Sequence, residues 1–259
     1  MDLFRSSNPA LSDKVFSNSR SFTDSETMTV QGTMNKTLLM LVLVILGAAF
    51  TWKGFFQSIP ADPAHPAIPS SVMVMMLIGG IGGFVTSLIV IFAPKSSPYT
   101  APIYSVLEGM FLGGISAIVA AQYTGSIVIQ AVGLTFATFF LMLLAFRTGR
   151  IKATARFRTG VLAATGAIAL MYLVSFVVSL FGVNIGFIHG NGIVSIVISL
   201  VVVAVAALNL ILDFDFIEKA SAQGSPKYME WYGAFGLMVT LVWLYIEFLR
   251  LLSKFASRN

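Results

Sequence analysis

Seven stretches of about twenty apolar residues each, roughly 37–58, 72–93, 102–122, 127–146, 161–181, 191–214 and 231–252, leave this chain few ways to fold. In hydrocarbon every backbone N–H and C=O must find its partner inside the chain, so segments of this length fold as spanning helices. Only 10% of the 259 residues are charged, where a soluble domain carries about 25%, and little lies outside the apolar stretches to build one. The expected fold is all-α and integral to the membrane: seven transmembrane helices in one domain, 37–259, behind a polar tail, 1–36. The tail, rich in Ser, Thr and Asn, reads as mostly disordered and cytoplasmic. The first apolar run reads as an uncleaved anchor rather than a signal peptide.

The breaks between spans, such as "SIPADPAHPAIPSS", "APKSSPYTAP" and "RTGRIKATARFRTG", carry turn residues or charge. Twelve of the sixteen Lys and Arg residues fall in the tail and the 94–101, 147–160 and 219–230 loops, which places the N-terminus inside by the positive-inside rule. Beside apolar segments, these basic residues read as topology signals and not as a nucleic-acid surface. Cysteine is absent and His65 and His189 are the only histidines, so a thiolate or His-rich zinc site is excluded. Any ion bound here is expected to be a hard one held by oxygen, which favours calcium, protons or no ion at all; no cofactor is expected.

Gly79, Gly80, Gly82 and Gly83 in "IGGIGGF" and Gly109 with Gly113 in "EGMFLGG" lack phosphate-loop spacing and sit within spans. Small residues four apart let helices approach closely, so these read as packing faces. The carboxylates carry more information, since ionisable groups inside a span are expensive and mark pairs or pathways. Asp213, Glu247 and Glu108 stand in apolar sequence, whereas Asp215, Glu218 and Glu230 lie nearer the interface, where solvation is an equal reading. Glu247 has Arg250 three residues later on the same helical face, so a local ion pair is one reading. A pair with Asp213 is the other, sharing a proton or holding a calcium ion, because two touching carboxylates cannot both stay ionised alone. Such contact requires the sixth helix to extend past 213 or the seventh to start deep. Glu108 has no basic residue within helical reach. It is either a protonated carboxyl hydrogen-bonded to a neighbouring helix or, with Asp215, a candidate to line a pathway.

"LEGMFLGG" on the third span, "ILDFDFI" ending the sixth and "LYIEFLRLL" on the seventh resemble the Bax inhibitor family, also called the YccA-like family, in a bacterial form. The resemblance runs from the first span to the C-terminus. It matches Asp213 and Ile217 to the family's sixth-span Asp and Ile, and Glu247 to the seventh-span Asp of Leu-Tyr-Leu-Asp-Phe. It implies a bundle whose last helix is central, and a pH-sensing calcium leak in which Asp213 and Glu247 form the latch. It also implies an inner-membrane, multi-pass protein.

Three functions follow. The first is a pH-sensitive calcium or cation leak gated by Asp213 and Glu247. The alternative is a membrane-embedded regulator of a membrane protease or stress response with no transport of its own. An intramembrane aspartyl protease is the third, but its Gly-x-Gly-Asp motif is missing, so no enzyme is expected. The expected partners are the lipid bilayer, calcium, protons and a membrane protease, with no nucleic acid.

Overall fold

A computed structural model describes residues 27–58, 68–123, 125–182, 190 and 192–258. Among these residues there is no strand, and seven helices are long and apolar enough to cross a membrane. They are α1 (Val30–Ser58), α2 (Ser70–Phe92), α3 (Ser97–Gln122), α4 (Gly125–Arg147), α5 (Ala155–Leu180), α6 (Ile193–Ala222) and α7 (Met229–Ala256). A single 3₁₀ turn, Pro94–Ser96, links α2 to α3.

Several helices outrun their apolar stretches. Hydropathy marks the part of a helix that meets lipid, while the backbone ladder continues into polar flanks until a cap or turn stops it. Thus α5 begins at Ala155, where the Thr154 side chain accepts from the Phe157 N–H at 3.3 Å. Likewise α6 runs past Asp213 to Ala222 and ends near Gly224, whose φ of 70° suits glycine. The boundary of the expected tail also moves: α1 starts at Val30, so 30–36 are helical, and the segment before it is tied down through Met28 and Thr29. The remainder of the expected tail, 1–26, lies outside the described residues, as do the proline-rich stretch 59–67, His65 and His189.

The chain divides into two compact units, one made of Lys14–Val128 with Ile217–Met238 and the other of Met1–Asp13, Ile129–Phe216 and Val239–Asn259. In the first, α3 packs against α1 and α2 through glycine. A Cβ at Gly109 would lie 2.9 Å from the Cα of Val44 on α1, and one at Gly79 on α2 would lie 2.6 Å from the Leu107 carbonyl oxygen of α3. The small-residue faces expected from sequence are therefore helix contacts. Phe55, Val72 and Ala117 form a further cluster among the same three helices. In the second unit, Ile168 of α5 meets Val202 and Val205 of α6, with Trp243 of α7 against them. Phe214 of α6 stacks edge-on with Phe139 of α4.

Burial differs sharply among the spans. The most apolar windows of α1, α2, α4 and α5 are only 17–22% buried, whereas that of α7 is 67% buried. Outward residues such as Leu46, Phe84, Ile129 and Phe176 are more than half exposed, as lipid-facing side chains are. The last helix is the most enclosed of the seven.

Candidate functional site

Asp213 lies two-thirds of the way along α6 and is 1% exposed. Extension of α6 past this point brings α7 alongside it, and the Thr240 hydroxyl donates to Asp213 Oδ2 at 2.6 Å. Among the described residues this is the one hydrogen bond Asp213 receives from another side chain. It is a charge-assisted bond when Asp213 is ionised, and it ties two helices.

Glu247 does not share this position. It is seven residues beyond Thr240, two turns and about 10 Å of rise along α7. Its carboxylate, 1% exposed, accepts from Arg250 Nη1 at 3.0 and 3.2 Å and from the Tyr172 hydroxyl of α5 at 3.0 Å. Arg250 Nη1 also reaches the Tyr172 oxygen at 2.5 Å, and the guanidinium lies 4.9 Å from the ring centroid. The local ion pair is thus present and is enlarged by Tyr172 into a three-membered network. The expected Asp213–Glu247 pair is not formed, because helical register puts a threonine opposite Asp213 and turns Glu247 toward α5. One turn beyond Arg250, Lys254 is 5% exposed and donates to the Ser195 carbonyl at 3.1 Å and the Ser199 hydroxyl at 2.8 Å, near the start of α6.

Asp215, a candidate for pathway lining, is ion-paired with Arg158 of α5, both side chains being less than one-sixth exposed. Asn209, one turn before Asp213, donates to the Thr165 hydroxyl of α5 at 2.8 Å. Glu218 is exposed.

In the other unit, Glu230 in the first turn of α7 is completely buried. Oε1 accepts from the backbone N–H and the hydroxyl of Thr29, each at 2.9 Å, Lys36 pairs with Oε2, and Lys227 Nζ stands 3.4 Å from Oε1. Glycine at 32 leaves room for the Glu230 carboxylate, which a Cβ there would displace. The Met28 N–H donates to the Ser225 carbonyl at 2.7 Å, so the chain entering α1 is fastened to the α6–α7 turn. The equal claim of a solvated reading for Glu230 does not hold. Glu108, midway along α3, packs against Gly83 of α2, and the hydrogen bond expected from a neighbouring helix is absent among the described residues.

Calcium takes six to eight oxygen ligands, and among the described residues no three His, Cys, Asp or Glu side chains gather to hold a metal ion. Asp213 on α6 bonds Thr240 of α7, whereas Glu247, two turns further along α7, bonds Arg250 and Tyr172.

Seven apolar helices with buried, hydrogen-bonded carboxylates between them define a multi-pass, all-α membrane protein. A comparison with curated proteins found no match to this chain. The family described as Bax inhibitor 1 like matches residues 8–257, and the chain belongs to it.

Proposed function

We propose that the protein is a pH-sensitive cation leak, with calcium as the permeant ion, in which Asp213 on α6 and Thr240 on α7 form the titrating contact. The observation that supports it is a fully enclosed carboxylate tied to the next helix by one hydroxyl. An ionised Asp213 can only accept, whereas a protonated one can also donate and carries no charge. Protonation therefore changes both the local field and the α6–α7 hydrogen bond, which is what biases an open–closed equilibrium. Glu247, held by Arg250 and Tyr172, keeps α5 and α7 together and stands outside the titrating contact. The distribution of Lys and Arg supports an N-terminus on the cytoplasmic side of the membrane.

Calcium flux into liposomes of purified protein is expected to vary at least about fivefold between about pH 5 and 8. Asp213→Asn fixes flux at its low-pH value, because a neutral amide resembles the protonated acid. Thr240→Val displaces the profile along the pH axis, and Glu247→Gln retains a pH dependence. A pH dependence that survives Asp213→Asn but disappears in Glu247→Gln overturns the assignment. Folded protein without flux at any pH favours the regulator of a membrane protease instead.

A further inference from the structure

Glu108 is the twelfth residue of the 26-residue helix α3, about 17 Å from one end and about 21 Å from the other. For a hydrocarbon layer about 30 Å thick this is the midplane, where a charged carboxylate is costly. Among the described residues, no charged group on the helices packed around it reaches it. Helix α2 carries no ionisable residue at all. On α1, Lys36 is committed to Glu230 and Lys53 is exposed. Along α3 the only other ionisable side chains are Tyr104, one turn earlier, and the exposed Tyr99. From α7, whose Phe235 stacks on Tyr104 at 4.9 Å, the ionisable groups of this unit are Tyr232 and the fully paired Glu230. Glu108 itself makes no hydrogen bond or ion pair among the described residues.

Gly83 leaves room for this carboxyl. A Cβ there would stand 2.9 Å from Glu108 Oε2, and its next neighbours would be the Glu108 N and Cα at 3.8 and 4.0 Å. The missing methyl is thus replaced by a carboxyl oxygen, and nothing else crowds the position. The adjoining Gly82 and Gly83 carbonyls already accept from the Thr86 hydroxyl at 2.8 and 3.0 Å.

We propose that Glu108, seated against Gly83 in the α2–α3 seam, is a proton-exchanging site at the membrane midplane, distinct from the Asp213–Thr240 contact. Its ligand is the proton: the carboxyl is neutral in the seam and gives up its proton to water in an alkaline medium. The proposal does not depend on cation flux, since occupancy is read chemically.

A hydrophobic carbodiimide reports the protonated form. The acid proton passes to a carbodiimide nitrogen, a carboxylate oxygen bonds to the central carbon, and the acyl group then migrates from oxygen to nitrogen. Nothing leaves, so the reagent's whole mass remains on the residue. Full-length protein in phosphatidylcholine nanodiscs is treated with N,N′-dicyclohexylcarbodiimide, and adducts are mapped by mass spectrometry with the exposed Glu218 as internal reference. Near pH 6 Glu108 labelling is expected to exceed that of Glu218 about tenfold, and the yield of the Glu108 adduct itself is expected to fall at least about fivefold between about pH 6 and 9. A water-soluble carbodiimide should reverse the preference. Gly83→Ala, which displaces the carboxyl without touching backbone, should lower the ratio at least about threefold, while Asp213→Asn leaves it unchanged. Absence of a Glu108 adduct overturns the proposal. So does a Glu108 adduct yield independent of pH, which marks a permanently neutral packing group, and so does equal labelling by the water-soluble reagent, which marks a solvated carboxylate. Glu108→Gln must abolish the adduct in protein whose melting is unchanged.

Discussion

Gly109→Ala and Gly113→Ala are expected to yield little monodisperse protein in detergent, with a thermal midpoint far below that of the parent chain. At Gly109 the new methyl would lie 2.9 Å from both the Cα and the carbonyl carbon of Val44, and at Gly113 it would lie 2.6 Å from the Cα of Ala48. These obstacles are backbone atoms of α1, so no rotamer change relieves the overlap and the helix as a whole must retreat. Ordinary overpacking costs about 1–3 kcal/mol, and displacing a helix along its length exceeds that. Helices in a bilayer gain association energy from close van der Waals contact, and that contact is what the methyl removes. Gly160 and Gly166 on α5 provide the control, because a Cβ at either meets nothing within 4 Å. Alanine there should be neutral or stabilising by up to about 1 kcal/mol. Equal midpoints for Gly109→Ala and Gly160→Ala would refute this account of α1–α3 packing.

The second large effect concerns Lys36 and Glu230. Lys36→Met leaves a fully buried carboxylate with only Thr29 and the more distant Lys227, and should cost about 3–5 kcal/mol. Glu230→Met should cost less, since Lys36, partly exposed and lying 5.5 Å from the Trp231 ring centroid, can turn toward water. The double substitution removes both charges together and should be milder than the sum of the two by at least about 2 kcal/mol. Reversible unfolding of the four proteins, read by circular dichroism in one detergent, measures this coupling. Additive costs would show that the pair is not coupled. For Arg158 and Asp215, which retain some exposure on both sides, the same cycle should give a smaller coupling, about 1 kcal/mol.

What could be read from sequence follows from the range over which each signal acts. All seven spans were legible because hydropathy is a local sum, and only their polar ends were missed. Gly109 and Gly113 announced their packing face by spacing alone. Glu247 and Arg250, three residues apart, were legible as an ion pair, but Tyr172, 75 residues from Glu247, was not. Thr240 gave no warning, since a threonine in an apolar helix bonds as readily to its own backbone as to a neighbouring side chain. The family motif placed the acidic partner of Asp213 at Glu247, two turns beyond the Thr240 that meets it on α7. Glu230 was hardest to read: beside a polar loop it looks solvated, and its partners Thr29 and Lys36 lie 201 and 194 residues away.

That last separation sets a clock on biogenesis. Lys36 is synthesised 194 residues before Glu230, an interval of about 10–40 s at translation rates of about 5–20 residues per second. Until then Lys36 lacks its Glu230 partner, and the entrance to α1 lacks its hydrogen bond to the α6–α7 turn. Arrival of the seventh helix delivers the counter-charge, so the first helix is completed by one made six spans later. A ribosome stalled before residue 230 would leave a chain whose first unit is inserted but not yet closed.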